Sequence, residues 1–167
     1  MKEVLISIKP EWCELIASGK KTVEVRKTRP AIEKVGDRFK CYIYMTKKLY
    51  RKGDGYFQGR CCGKVIGEFI CDNIECFGVP YPAFQSELDK RILEESCLTY
   101  YQLHRYAYHD ALYGWHISQL KVYDEPKGLN NFVTANQKFK FDDSKRMWKF
   151  TGMRKPPQSW CYVEEVV

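Results

Sequence analysis

The stretch Gly19–Lys27 constrains the fold of this chain more than any other stretch. From Thr22 onward its apolar and polar residues alternate strictly, which predicts a β-strand with two different faces. The apolar positions are Val23 and Val25, and the polar positions are Thr22, Glu24 and Arg26, with Lys21 just ahead of them. Two interpretations of the polar face are open: a solvent-exposed strand with a weak surface ion pair, or one wall of a polar cleft.

Length and composition indicate an ordinary globular protein. The chain has 167 residues, which is enough to bury a core, and we expect a single domain over 1–167. The hydrophobic fraction of 44% and the charged fraction of 29% are typical, whereas the aromatic fraction of 15% is high. The net charge of +7 modestly favours a polyanionic partner such as RNA.

Targeting and cofactor signals are absent from the sequence. It has no apolar run of membrane-spanning length and no signal-peptide pattern, so we expect a cytoplasmic protein without a membrane partner. Its 8 cysteines include no C-x-x-C pair, so we expect reduced thiols, no metal site and no cofactor. The missing P-loop, Rossmann, H-E-x-x-H and G-x-S-x-G motifs argue against the common nucleotide hydrolases, dehydrogenases, proteases and esterases.

Hydrophobic periodicity predicts about six strands and three helices. The expected strands are 4–8, 22–27, 39–45, 64–71, 113–123 and 159–163, and the expected helices begin at Pro10, Ala83 and Thr99. This order predicts an α+β domain built on a curved, barrel-like sheet, with one helix between the first two strands and further helices inserted mid-chain. It argues against a doubly wound sheet, in which strands and helices alternate.

Three segments carry further expectations. The residues from Thr99 to Gln102 have the form of a capping box, and we expect most aromatic side chains of the helix that follows to lie in the core. The segment 47–63 is rich in glycine and basic residues, which predicts an exposed, mobile loop with or without a nucleic-acid partner. The segment 128–157 has no legible pattern.

Several motifs resemble those of one known family. Leu5-Ile6-Ser7-Ile8-Lys9-Pro10-Glu11 and Gly19-x-Lys21-Thr22-x-Glu24-x-Arg26 resemble the signature of ASCH domains, which are small β-barrels of the PUA-like superfamily. Gly67-Glu68-Phe69, Gly114-Trp115-His116-Ile117 and Pro156-Pro157-Gln158-Ser159-Trp160 resemble motifs of small phage and prophage ASCH proteins. The resemblance covers most of the chain and implies a PUA-like barrel whose cleft faces RNA or a nucleoside.

The resemblance also suggests a catalytic set. One bacterial branch of the family hydrolyses acylated cytidine with a Lys, a Thr and a Glu, and other members are reported as ribonucleases. Lys21 falls on the Lys position, and Glu95, ahead of Thr99, corresponds to the Glu. The Thr position, three residues after the Lys, is Glu24 here, which argues against the amidohydrolase. The candidate catalytic residues of a hydrolase are therefore Lys21, Glu24 and Glu95.

The side chains themselves are compatible with ligand binding. Arg26 offers a rigid fork for a phosphate or a base edge, Glu24 would hold Lys21 or Arg26 in place, and burial would turn Lys21 into a base or nucleophile. The other binding candidates are Lys9 at a helix start, Trp115 and His116 at a strand start, and Ser159 and Trp160 in the last strand. They would hold an anion, a stacked base or a hydrogen-bonded group, although a core Trp and a structural His are common alternatives.

Three hypotheses follow from these residues. The first is an RNA- or modified-nucleoside-binding domain with Lys9, Lys21, Glu24 and Arg26 as its polar floor and Trp115 or Trp160 as an aromatic wall. The second is a hydrolase in the same cleft that acts on acylated cytidine or on RNA. The third is a non-catalytic prophage protein that binds a host protein through its mid-chain helices.

Overall fold

The computed structural model describes residues 1–31, 37–47, 62–78, 86–108, 110–134, 139–150 and 152–166. The helices in these ranges are α1 (Pro10–Ala17), α2 (Glu87–Ser96) and α3 (Tyr100–Ala107), with a short 3-10 helix at Leu129–Asn131. The strands are β1 (Lys2–Ile8), β2 (Val23–Arg26), β3 (Phe39–Met45), β4 (Val65–Cys71), β5 (Ile74–Phe77), β6 (Leu112–His116), β7 (Ser118–Lys127), β8 (Phe132–Val133), β9 (Phe139–Asp142), β10 (Met147–Phe150), β11 (Trp160–Tyr162) and β12 (Glu164–Glu165).

The described residues form two compact units, each assembled from separate stretches of chain. The first consists of Met1–Cys13, Lys40–Phe69 and Lys121–Val167, and the second of Glu14–Phe39 and Ile70–Leu120. The mixed helix-and-strand class predicted from the sequence is confirmed. The strands exceed the expected six and belong to several sheets, so closure into one barrel is not confirmed.

The first unit is built on a five-stranded sheet with the order β11-β1-β3-β4-β7. Val4, Leu5 and Ile6 of β1 are fully buried, as expected for an uninterrupted apolar run on an interior strand. Leu5 belongs to a core with Tyr42 and Phe132, whose rings meet edge to face at 4.8 Å between centroids.

The second unit is built on a three-stranded sheet with the order β2-β6-β5. Directly paired residues of antiparallel strands point to the same face, so the register sorts the side chains of β2 and β6. The pairs are Val23↔His116, Glu24↔Trp115, Val25↔Gly114 and Arg26↔Tyr113. The valine face packs against α2 and α3 through Ile92, Leu103 and Ala107. Glu24 and Arg26 therefore lie on the face of β2 that α2 and α3 do not cover.

Local sequence signals account for the ends of the helices. Pro10 is the first residue of α1, as predicted, and Gly19 adopts the left-handed conformation with φ of +73° just after the helix ends. The predicted capping box of α3 is also confirmed: the Gln102 amide donates to Thr99 Oγ1 at 3.3 Å, and the Thr99 amide donates to Gln102 Oε1 at 2.8 Å. An equivalent box of Ser86 and Asp89 begins α2.

Two expectations about the middle of the chain are wrong. Most aromatic side chains of α3 lie on the surface: Tyr101 is 70% exposed and Tyr108 is 78% exposed, because Leu103 and Ala107 alone provide the buried stripe of this helix. The single strand expected over 113–123 is divided between β6 and β7, and Gln119 near the division has a positive φ of 48°.

Two other expectations concern residues outside the described ranges. Most of the basic loop predicted at 47–63 falls on residues 48–61, and the start of the helix expected from Ala83 falls on 79–85; both lie outside the described residues. The segment without a legible pattern contains β8, β9 and β10. Among the helices that the structure describes, none is long and apolar enough to cross a membrane.

Candidate ligand-binding site

Lys21 is the most deeply buried charged side chain in the described ranges, with 2% of its surface exposed. The turn after α1 holds its backbone, because the Lys21 amide donates to the Leu15 carbonyl at 3.0 Å. Its Nζ donates to the carbonyl of Ser96, the last residue of α2, at 2.7 Å. The helix end therefore satisfies part of the hydrogen-bonding capacity that the ammonium loses when it leaves water.

Glu24, on the polar face of β2, joins two cations, one ahead of the strand and one on it. Its Oε2 lies 3.3 Å from Lys21 Nζ, and its Oε1 lies 2.8 Å from Arg26 Nη1. We call Lys21, Glu24 and Arg26 the β2 charge cluster. The side chain of Arg26 is 13% exposed and that of Glu24 is 6% exposed, so Arg26 is its most accessible member. The interpretation of a surface ion pair on an exposed strand is thus wrong.

Burial lowers the pKa of the Lys21 amine below its ordinary value of 10.5. The charge of Glu24 and its hydrogen bond to Lys21 act in the opposite direction, and the charge of Arg26 lowers the pKa further. A lysine in this position gives up its proton more readily than a surface lysine, which is the property that a base or a nucleophile needs.

Glu95 lies at the same helix end as the group that binds Lys21. Its backbone carbonyl accepts a hydrogen bond from the Thr22 amide at 2.9 Å, and the next residue supplies the carbonyl for Lys21 Nζ. Its side-chain Oε2 is buried and, among the residues that the structure describes, has no hydrogen-bond partner. The structure therefore brings the backbone of Glu95 beside the strand that carries the β2 charge cluster, although the two are far apart in sequence.

Trp115 occupies the register position opposite Glu24 and points to the same face of the sheet. It is fully buried and meets Phe39 edge to face, with 5.3 Å between ring centroids and an interplanar angle of 88°. In this conformation its ring packs in the interior against Phe39 and is not exposed for stacking on a base. The neighbouring ring, Tyr113, is opposite Arg26 and has the guanidinium of Arg29 at 5.5 Å from its centroid.

His116 lies on the other face of β6, in a separate charged group. Its Nε2 is 2.5 Å from Glu75 Oε2, and Arg91 Nη2 donates to Glu75 Oε1 at 2.6 Å. Partial burial raises the pKa of Glu75, but the hydrogen bonds and charges of Arg91 and His116 outweigh it and hold that pKa below its usual range. The group fixes the orientation of the imidazole and ties α2 to the sheet.

The three other predicted binding residues belong to the first unit. The side chain of Lys9 is exposed, and its carbonyl accepts the amides of Trp12 and Cys13 at 3.0 Å each, which starts α1. The Ser159 carbonyl accepts the Ser7 amide at 2.8 Å, so the backbone just ahead of β11 pairs with β1 at the edge of the sheet. Trp160 is half-buried and pairs with Ile6 in the register of β11 against β1.

Sequence reasoning missed Ser96, Glu75, Arg91 and Tyr113. Ser96 acts through a backbone carbonyl, which no side-chain pattern reveals. Glu75 and Tyr113 follow from strand pairing, because β6 lies between β5 and β2, and the alternation of β6 would have identified Tyr113 had its register with β2 been known. Arg91 reaches Glu75 from α2, which only the packing of that helix reveals. In the described ranges, no group of three or more His, Cys, Asp or Glu side chains is arranged to hold a metal ion.

Comparison with known proteins identifies the fold. Residues 6–70 match the family model of the ASCH domain, a PUA-like fold of a family associated with RNA binding. The crystal structure of ASCH from Zymomonas mobilis superposes with a TM-score of 0.60 at 24% identity, covering 98% of this chain and 88% of that chain. The ASCH resemblance predicted from the sequence is confirmed over residues 6–70.

Two mutant crystal structures of the same Zymomonas mobilis protein give the same result. A serine-to-alanine mutant has a TM-score of 0.60 at 24% identity and covers 98% of this chain and 89% of that chain. A tyrosine-to-phenylalanine mutant has a TM-score of 0.59 at 23% identity, with 98% and 91% covered. No curated protein matches this chain. The narrower resemblance to phage and prophage proteins stays a prediction.

Proposed function

Since residues 6–70 match the ASCH domain, we propose that this protein binds RNA or a modified nucleoside through the β2 charge cluster. One observation carries the proposal: Lys21 and Glu24 are 2% and 5% exposed, yet both are ionisable and paired. A buried ion pair contributes little net stability compared with apolar side chains of similar size. Its presence on the strand of the family signature therefore favours a role in binding over a role in folding.

The chemistry of the cluster suits a nucleotide or nucleoside. Two cations share one carboxylate, so with Lys21 protonated the cluster carries a net positive charge that an anionic or electron-rich group would complement. Arg26 presents a planar fork that matches a phosphate, or the carbonyl and ring nitrogen of a base. Glu24 holds that fork in place, which reduces the entropy lost when a ligand binds.

The test is calorimetric titration of the protein with cytidine, acetylated cytidine, other nucleosides and short single-stranded RNAs. We expect a ligand that binds wild type and loses at least tenfold in affinity with Lys21→Met or Arg26→Gln. The matched control is Lys20→Met, because Lys20 is the adjacent lysine and is exposed. Unchanged affinity in the Lys21 and Arg26 variants contradicts the proposal. If wild type binds none of these ligands, the hypothesis of a protein-interaction module is favoured.

A hydrolase at the same position is the second candidate, and a specific observation favours it. Among the described residues, the buried Oε2 of Glu95 has no hydrogen-bond partner. The backbone carbonyl of Glu95 accepts the amide of Thr22, which follows Lys21 in the chain, and burial lowers the pKa of that lysine. A carboxylate and an activated lysine are a suitable pair for proton transfer during attack on an amide carbonyl or a phosphodiester.

The two candidates differ in their dependence on Glu95. If the protein is a hydrolase, Glu95→Gln should lower kcat for an acylated cytidine or RNA at least a hundredfold while ligand affinity changes little. Glu94→Gln is the matched control, since Glu94 is the neighbouring exposed glutamate of α2. Turnover that persists in both Lys21→Met and Glu95→Gln would rule out this mechanism.

A further inference from the structure

One face of α3 carries aromatic rings and an arginine in place of the usual mixed charges. Residues of an α-helix follow one another at 100°, so Tyr100, His104, Tyr101 and Arg105 fall in that order within an arc of about 140°. Tyr108, the left-handed residue just after the end of α3, is four positions beyond His104. All five are exposed, and the three tyrosines are 49%, 70% and 78% exposed at positions 100, 101 and 108. We call these five residues the α3 aromatic face.

The core does not explain this composition. Leu103 and Ala107 are the buried residues of α3; they lie outside the arc of the aromatic face, beside Tyr100, and pack into the core shared with Val23 and Val25. Tyrosines that are mostly in water contribute little to folding, because their apolar area stays exposed. Several large rings together on one exposed face indicate an interaction surface.

Charge and ring geometry point to the kind of partner. The aromatic face contains Arg105 and His104 and no acidic residue, whereas α2 carries four acidic and two basic residues along its sequence. The rings of Tyr100 and His104 lie nearly parallel, with 6.0 Å between centroids and an angle of 23°. The face has no aliphatic side chain, so its apolar area consists of ring surfaces, which suit planar bases better than the side chains of a peptide.

We propose that the α3 aromatic face is a docking surface for single-stranded RNA, on which successive bases stack while Arg105 contacts the phosphates. Its length, from residue 100 to residue 108, is about 12 Å, which corresponds to roughly three stacked nucleotides. Sequence-tolerant stacking on exposed aromatic rings is a common mode of single-strand binding. This surface lies on the side of β2 opposite to Glu24 and Arg26, so it acts independently of the β2 charge cluster.

The test is fluorescence anisotropy of labelled oligouridylate and oligoadenylate at two salt concentrations. The variant Y101S/Y108S should weaken binding by roughly tenfold for each ring that stacks on a base. Y101F/Y108F keeps the rings and should keep the affinity. Tyr106→Ser is the matched control, because Tyr106 is 39% exposed and on α3 but lies outside the aromatic face, beside Lys27.

The outcomes separate this surface from the β2 charge cluster. Loss of RNA affinity in Y101S/Y108S but not in Tyr106→Ser, with nucleoside binding unchanged, supports the proposal. If wild type does not bind single-stranded RNA, or if Y101S/Y108S binds it as wild type does, the proposal is overturned, whatever Lys21→Met does. It is equally overturned in favour of self-association if light scattering shows that Y101S/Y108S dissociates an oligomer without changing RNA affinity.

Discussion

The side chain of Lys21 shows how much a single residue depends on its surroundings. Its sequence neighbours allow either a surface lysine or a lysine in a polar cleft, and both fit the alternation of β2. The structure decides the question through α2, whose terminal carbonyl on Ser96 lies 2.7 Å from Lys21 Nζ. That contact joins residues 75 positions apart, so no local pattern contains it.

At this scale we predict that Glu24→Gln destabilises the protein more than Lys21→Met. Glu24 contacts both cations. Its neutralisation leaves the buried charges of Lys21 and Arg26 without a compensating carboxylate, so the free energy of unfolding should fall by about 3–5 kcal/mol. Lys21→Met leaves the Glu24–Arg26 pair intact and should lower it by less than about 2 kcal/mol. Urea denaturation of both variants measures the order, and a reversed order would contradict the bridging role of Glu24.

The lowered pKa of Lys21 predicts a pH dependence of stability. In the unfolded chain a lysine keeps its proton up to about 10.5, whereas the folded protein releases it at lower pH. Between these two values the unfolded state binds more protons, so the stability of wild type relative to Lys21→Met should rise with pH. Denaturation of both proteins from neutral pH to about 10.5 measures this difference. Both proteins contain the same tyrosines, so the titration of these residues cancels from it. A difference that is flat or falls with pH would argue against the burial of Lys21.

At the scale of the element, the helices are specified mainly by their ends. Thr99 and Gln102 satisfy each other's amides at the start of α3, a helix too short to be stable alone. We predict that Thr99→Ala lowers the free energy of unfolding by about 1 kcal/mol. Gln102→Ala should add little to Thr99→Ala, because the capping box acts as one unit. Thr99→Ser is the control that retains the cap, and additive losses in a double-mutant cycle would sink this interpretation.

Strand β6 depends on close packing at Gly114. A Cβ atom at this position would lie 3.0 Å from both Ile92 Cδ1 and Val23 Cγ1. Gly114→Ala should therefore lower the free energy of unfolding by about 1–3 kcal/mol through overpacking of α2 on the sheet. Ile92→Val removes one of the two crowding atoms, so the double variant should lose less than the sum of the single losses. Thermal denaturation of the four proteins provides the cycle, and simple additivity would show that the contact is not the cause.

At the scale of the whole molecule, the first unit requires both ends of the chain. Its sheet has β11 and β7 at the two edges, and Phe132, Val133 and Val163 of its core all follow residue 120. We predict that a chain truncated after residue 120 loses cooperative unfolding and near-ultraviolet circular dichroism, because β1 and β4 lose their outer partners. Removal of residue 167 alone is the matched control, because the Val166 amide still donates to the Asn131 carbonyl. Cooperative melting of the truncated chain would contradict this dependence.

The hydrophobic and capping patterns of single segments determined many of the helices and strands of this protein. Alternation fixed β2 and its two faces, the uninterrupted apolar run fixed β1 as an interior strand, and capping residues fixed the start of α3. These features follow from the backbone geometry and hydrogen bonds of a few neighbouring residues, so a short window of sequence contains them. The ASCH motifs and the candidates Lys21, Glu24 and Arg26 were also legible, because the three residues lie within six positions at the start of β2 and on it.

Tertiary structure alone decided which of those side chains are buried and what they meet. The pairing of β2 with β6 placed Trp115 opposite Glu24, and the end of α2 brought Ser96 and Glu95 to Lys21 and Thr22. It also left the tyrosines of α3 in water, against the expectation of a core role, because Leu103 and Ala107 already filled the buried stripe. Burial is set by partners distant in the chain, and a helical or strand period shows only which residues share a face.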